Sequence, residues 1–401
     1  MKRAGIVCIL FSAVLVSAVL IFSCGGGGGG NGGPVERLAF HTSTTGNADL
    51  SSWAEVSGTG LTGLEAADAI CNARAEAAGL DGTFVAWISD DNDDAYCRAN
   101  GLTGKKGSNC GQGAQPVDAG PWFRTDGSPF AGRIDELADL MVQYTPLLFD
   151  EFGSTIDIDR SYWTGTNVDG TVYETNCSNW TDSTVTGSTV VAGVVFGTGL
   201  RWTRGNTPSV CSLEKSLACL QLGTDNVEPN PQAEGKTVFI SSANGSGNLG
   251  SWPEAGGSTG IAAGDAICQN LAAAAGLASA GSFKAWLSDS ATDGADRLTS
   301  DGPWVRVDGM MVAESKTALI NSALLTSIDV TEDGVYRGGA AVYTGTSGTG
   351  SRTASLCADW SDGTGSSNAT YGNSNVIATA LWTEAGSLPC SNLVYIYCFE
   401  D

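Results

Sequence analysis

Twelve cysteines, one histidine (His41) and several acidic runs bound the chemistry open to this 401-residue chain. A lone histidine makes two Ser-His-Asp sites impossible and disfavours even one. Ser212-Leu213-Glu214-Lys215 has the Ser-x-x-Lys spacing of an acyl-transfer pair, but the aligned segment downstream reads Ser391-Asn392-Leu393-Val394, so chance explains the match. The run "SDDNDDAYC" brings Asp90, Asp91, Asp93 and Asp94 together as oxygen ligands for calcium. It lacks the glycine and terminal glutamate of an EF-hand loop, and a solvated loop tip is the preferred reading. Asp182 and Asp362 follow Trp180 and Trp360 in matching contexts, where they are read as turn caps beneath packed indoles more than as ligands. Carboxylate pairs for glycoside hydrolysis need not be near one another in sequence and stay open. No catalytic residue and no metal-ligand set is assigned, calcium is the one cofactor left in play, and the chain is read as non-enzymatic.

An internal repeat must position these residues. "TGLEAADAICNARAEAAGL" at 62–80 recurs as "TGIAAGDAICQNLAAAAGL" at 259–277, identical at twelve of nineteen positions. In the same order, "FVAWISD" (84–90) matches "FKAWLSD" (283–289), "GPWFRTDG" (120–127) matches "GPWVRVDG" (302–309), and "CSNWTD" (177–182) matches "CADWSD" (357–362). "LRWT" (200–203) matches "ALWT" (380–383). The pattern gives two tandem domains, 35–223 and 236–401, joined by a polar linker at 224–235. Thr62 is expected to cap the first helix, with Glu65 closing a capping box. Leu64, Ala67, Cys71, Ala75 and Ala78 share one face, and Gly79-Leu80 reads as a Schellman stop. "TFVAWIS" and "SFKAWLS" read as strands, and second helices are expected at 133–142 and 316–325, which makes the class α+β.

Residues 1–24 read as a processing segment: Lys2 and Arg3, an apolar run over 4–22, then Ser23 before Cys24. The pattern resembles a bacterial lipoprotein signal with lipidation at Cys24; an uncleaved membrane anchor is the alternative. The glycine-rich tract at 25–34 is then a tether. Export makes disulfides the default state of cysteine. Removing Cys8 and Cys24 leaves ten. Cys97 and Cys110 lie in an insertion of the first domain and are expected to bridge each other; eight others occupy four shared positions with open connectivity. With 43 acidic against 20 basic residues and a net charge of -23, the chain would repel a phosphate backbone, which excludes nucleic acid as a partner.

The cysteine-bearing helix, its AGL stop, the A-W-hydrophobic-S strand and the late C-x-x-W…C…C ending together resemble endostatin, the C-terminal domain of certain collagens. They resemble more closely a family of bacterial surface lipoprotein domains of unknown function. The resemblance implies a C-type-lectin-like fold in each copy and nested disulfides: Cys71–Cys219 with Cys177–Cys211, and Cys268–Cys398 with Cys357–Cys390. By loop closure each long bridge would contribute about 4–5 kcal/mol. The Trp-Asn-Asp calcium motif of sugar-binding lectins is replaced by Trp202-Thr203-Arg204 and Trp382-Thr383-Glu384. Glu228-Pro229-Asn230 spells the companion motif, but in the linker. Endostatin's zinc histidines and heparin-binding arginines have no counterpart. What the resemblance implies is a lipid-anchored envelope protein, at the outer membrane or cell surface, that recognises a glycan, matrix or protein ligand. The contact loops would be 90–115, 167–176 and 347–356, with the membrane as its other partner. A purely structural envelope role is the alternative, and a hydrolase stands third.

Overall fold

The hydrophobic runs of each repeat close a sheet of the same strand order. In the first, strands run Pro129–Ala131, Trp122–Arg124, Arg37–His41, Ser216–Gln221, Ser161–Trp163 and Ala192–Val194, with Phe84–Ala86 also pairing on Ser216–Gln221. In the second the equivalents are Met311–Ala313, Trp304–Arg306, Lys236–Ile240, Tyr395–Glu400, Ala341–Tyr343 and Asn368–Asn373, with Phe283–Ala285 pairing on Tyr395–Glu400 and one further strand, Gly386–Pro389, at the edge. Each sheet mixes parallel and antiparallel pairs, and each is covered by helices, so the chain is α+β. This computed structural model describes residues 36–155, 160–185, 189–205, 209–224, 228–321 and 323–401, and Glu36–Asp401 forms one compact unit. The expected signal segment 1–24, Cys24 and the tether 25–34 lie outside the described residues.

The repeated helix spans Gly63–Ala77 and Gly260–Ala274. Leu64, Ala67, Cys71 and Ala75 are buried, as the 3.6-residue period requires, with Ala66 and Ile70 beside them. Small residues on this face let the helix lie close to Phe84–Ala86. The stop is a complete Schellman motif: Leu80 N–H donates to Ala75 O at 2.9 Å and Gly79 N–H to Glu76 O at 3.0 Å, with Gly79 at φ +70°. The start differs from expectation. Thr62 makes no side-chain capping bond, so there is no capping box. The glycine after it matters instead: Gly63 sits at φ +54°, where a Cβ would come within 3.0 Å of Asn179 O, and Gly260 repeats the arrangement against Asp359 O. The second helices are shorter than expected, Ile134–Asp139 and Lys316–Ile320.

Among the described residues the disulfides are Cys71–Cys219, Cys177–Cys211, Cys268–Cys398, Cys357–Cys390 and Cys97–Cys110. The first and third tie the long helix of each repeat to its last strand. Two apolar clusters, one on each side of the sheet, fill each repeat, and Leu148 and Phe196 of the first also pack against the second.

That contact belongs to a hydrogen-bonded seam. Gly197 and Val376 form an antiparallel bridge, Thr198 N–H donates to Asn375 O at 3.0 Å and Ile377 N–H to Phe196 O at 3.1 Å. Beneath it, Asp329 accepts from Arg306 Nη1 at 2.7 Å and from Thr198 Oγ1 at 2.8 Å, with both charged side chains fully buried. The connecting segment is held at both ends, by Arg133 Nε to Glu228 at 2.6 Å and by Ala233 N–H to Gly309 O at 3.0 Å.

Candidate functional site: a polar groove beside a left-handed turn

Four consecutive non-glycine residues with positive φ are a costly arrangement, and the chain makes it twice. Cys177–Trp180 run at φ 52°, 56°, 56° and 64°, and Cys357–Trp360 at 49°, 51°, 52° and 65°. Each forms one turn of left-handed helix: Trp180 N–H reaches Asn176 O at 2.9 Å, and Trp360 N–H reaches Leu356 O at 3.0 Å. Each such residue is disfavoured by about 1–2 kcal/mol, so the surroundings must enforce the turn. Three of them do. The first residue is held by a disulfide, Cys177–Cys211 or Cys357–Cys390. The last is a buried indole whose Nε1 donates to Ser89 O or Ser288 O, both at 2.8 Å. Gly165 and Gly345 leave room for that ring: a Cβ there would lie 2.5 or 2.8 Å from its Cζ2. The third residue clamps the neighbouring loop. Asn179 Oδ1 accepts from Asp91 N–H at 3.0 Å, while Asp359 accepts from Ser290 N–H and Oγ, each at 2.7 Å.

Beside the second turn lies an open groove of about 650 Å³, whose polar lining comes from Ser290, Ser355, Asp359, Ser366, Ser367 and Asn368. Ser366 and Ser367 are occupied with Asp362. Among the described residues, the Ser355 hydroxyl and the Asn368 amide have no protein partner, which leaves a donor-acceptor pair and the Asp359 carboxylate facing the groove. In the first repeat the aligned rim, 186–188, lies outside the described residues.

The six acidic candidates serve turns or tie neighbouring loops together. Asp362 accepts from Thr364 N–H at 2.7 Å and from Ser366 and Ser367, and hydroxyl donation, chiefly from Ser367 and Thr364, holds its carboxyl at about 2. Asp182 is lowered in the same way by Thr184. Of the four aspartates at 90–94 only Asp91 is exposed; Asp90 and Asp94 are buried, so the loop is no simple solvated tip. Asp90 Oδ1 accepts from Asn92 and Asp93 N–H, each at 2.7 Å, and Asp93 accepts from Gly104 N–H. Asp94 accepts from Val172 N–H at 2.9 Å, Lys106 N–H at 2.8 Å and Lys105 Nζ at 3.2 Å. The carboxylates thus point apart to satisfy loop N–H groups. Among the described residues no three His, Cys, Asp or Glu side chains converge as a metal cluster.

The remaining candidates have structural surroundings. His41 is a buried strand residue whose ring nitrogens face Leu148 O and Thr42 O, and burial lowers its pKa. Lys215 donates to Ser161 Oγ at 2.6 Å rather than to Ser212, and burial lowers its pKa. Thr203 and Thr383, in the slots of the lectin calcium motif, instead accept hydrogen bonds from the indoles of Trp87 and Trp286 at 2.9 and 2.8 Å. No helix among the described residues is long and apolar enough to cross a membrane.

Sequence reasoning missed the left-handed turns, because neither "CSNW" nor "CADW" carries a glycine to announce positive φ. It also missed Ser355 and Asn368, whose significance lies in being left without partners after folding. Compared with known proteins, the chain matches no protein-family model and no curated relative.

Proposed function

We propose that this chain is a lipid-anchored surface protein of two C-type-lectin-like domains that recognises a polyhydroxylated ligand, a glycan of a host, matrix or neighbouring cell. The reading rests on the groove of the second repeat. Its unpartnered Ser355 hydroxyl and Asn368 amide and the Asp359 carboxylate are the side-chain types that bind sugar hydroxyls, set on a backbone stiffened by a disulfide and a pinned indole. The tether and Cys24 would hold this surface away from a membrane. Binding would proceed without the lectin calcium site, because Thr203 and Thr383 are engaged with tryptophans in the core.

Glycan and matrix-protein arrays probed with the purified chain, with and without calcium, test the proposal. Specific glycan binding is expected, reduced at least about tenfold by Asn368→Ala or Ser355→Ala, the loss that one or two hydrogen bonds produce. No binding to any glycan, or binding unaffected by both substitutions, overturns it. Crosslinking in intact cells that captures envelope proteins alone would favour a structural role.

A further inference from the structure

Away from the groove, the seam between the repeats carries an open hollow of about 140 Å³ lined by Arg201 of the first repeat and Asn373 and Asn375 of the second. We infer that this hollow binds the carboxylate of a small organic acid or acidic sugar, with Arg201 as its counter-ion.

Three observations carry the assignment. First, Arg201 is an exception in charge pairing. Every other arginine among the described residues reaches a carboxylate, a carbonyl oxygen or an aromatic ring. The Arg201 guanidinium, partly buried, makes no hydrogen bond or ion pair among the described residues, and no acidic side chain lines the hollow. Burial pushes its guanidinium down, and only Tyr371 acts against that. In a chain with 43 acidic residues, an arginine left without one is open to an external anion.

Second, the repeated fold does not by itself demand polar residues at these positions. The pairing of Tyr162 with Gly193 and of Val342 with Gly372 aligns the repeats, so that Asn373 corresponds to Val194 and Asn375 to Phe196. "LRWT" against "ALWT" sets Arg201 opposite Leu381. All three positions are apolar in the other copy.

Third, the hollow is preformed. Leu200 N–H and Asn375 Nδ2 both donate to Gly338 O, at 2.7 and 3.1 Å, fixing its walls across the seam. A Cβ on Gly199 would lie 2.4 Å from Gly338 Cα, so the close approach depends on glycine. The planar guanidinium fork matches a carboxylate in bidentate geometry. The Asn373 amide, also without a partner among the described residues, can take a neighbouring hydroxyl. The volume is well under the roughly 300 Å³ at which drug-sized sites begin, so the part of the ligand seated in the hollow is one small acid or a single sugar unit.

Titration of the full-length chain with acetate, glucuronate and glucose at constant ionic strength, followed calorimetrically, tests the site. Saturable binding of a carboxylate is expected, with none for glucose. Arg201→Leu should weaken it by about ten- to a hundredfold, the loss of a charge-assisted bond, and Arg201→Lys should weaken it less. Asn373→Val, measured in parallel, should also weaken it and serves if Arg201→Leu fails to fold. Acetate binding points to a free acid, and glucuronate binding without acetate to an acidic sugar. If neither carboxylate binds, or if the Arg201→Leu and Asn373→Val variants bind as the parent does, the assignment is wrong.

Discussion

Gly197 and Val376 hold the same position in the two repeats, and they pair with each other in an antiparallel bridge. The flanking bonds obey the same equivalence, Thr198 N–H to Asn375 O and Ile377 N–H to Phe196 O. Residue i of one repeat meets residue j of the other as j meets i, which is the rule of an isologous two-fold contact, here within one chain. Surfaces on the two repeats are therefore held at a fixed spacing, set by the seam more than by the reach of the connecting segment.

The seam should make the repeats unfold as one. Calorimetry is expected to show a single transition for the chain. Asp329→Ala strips the buried Arg306 of one of its two carboxylates and Thr198 of its acceptor. A cost of about 3 kcal/mol is expected, with the transition broadening or splitting in two. Two well-separated transitions in the parent chain would show that the seam contributes little coupling.

The repeat, the cysteine ledger and the long helix were legible in the sequence because each is a local or periodic fact: matched strings, an even count, apolar residues every three or four positions. The seam was not. Residues 196–199 and 375–377 share no string, and their pairing is decided by how two finished sheets meet. The short second helix shows the same limit. In the first repeat it ends at Asp139, and Met141 just beyond its cap adopts φ 55° without being glycine or asparagine, so no stop signal appears in its sequence. At the groove, which serines keep a free hydroxyl depends on the folded positions of Asp362 and Thr364, which no sequence pattern gives.

The left-handed turn gives a prediction of unusual sign. Ala358 is exposed and sits at φ 51°, so Ala358→Gly should stabilise the protein by about 1 kcal/mol, by relieving the Cβ clash of the left-handed conformation. The same change at exposed Ala273, in the right-handed helix Gly260–Ala274, should destabilise by about 1 kcal/mol. Chemical denaturation of both variants checks the pair. Loss of stability at Ala358 would mean that the turn relaxes in solution.

Disulfides should differ in worth by the loops they close. Cys97–Cys110 spans 13 residues, so its replacement by two alanines should cost about 3 kcal/mol and leave the remaining fold intact. Cys71–Cys219 spans 148 residues and should cost about 5 kcal/mol. Urea midpoints with near-ultraviolet dichroism would rank them. Equal losses would show that local packing around Cys97 dominates over chain entropy.

The acidic run separates a structural from a metal-binding role. Asp94 receives three donors in a buried site, whereas Asp91 accepts only from the Asn176 amide at 2.8 Å and is exposed. Asp94→Ala should cost about 2–3 kcal/mol by orphaning Lys106 and Val172 N–H groups, and Asp91→Ala less than about 1 kcal/mol. Millimolar calcium should leave the melting temperature of the parent chain unchanged. A calcium-dependent rise that both substitutions abolish would reassign the run as a cation site.

Acid should weaken the protein through carboxylates that fold into donor-rich sites. Burial opposes ionisation of Asp401, but bonds from Lys284 Nζ at 2.6 Å, Ser300 N–H at 2.8 Å and Thr299 outweigh it and hold the carboxyl at about 2. Asp308 is partly buried, with Arg306 and Tyr336 keeping it below its ordinary value against that burial. Between pH 4 and 2 the unfolded chain, with aspartates near about 3.9, binds more protons than the folded one at these sites, so stability rises with pH there. Their contribution is complete above about pH 4 and lost as the pH falls toward 2. Asp401→Asn should flatten the melting-temperature profile across that window and leave the slope near neutrality unchanged. An identical acid limb in the variant would place the titrating groups elsewhere.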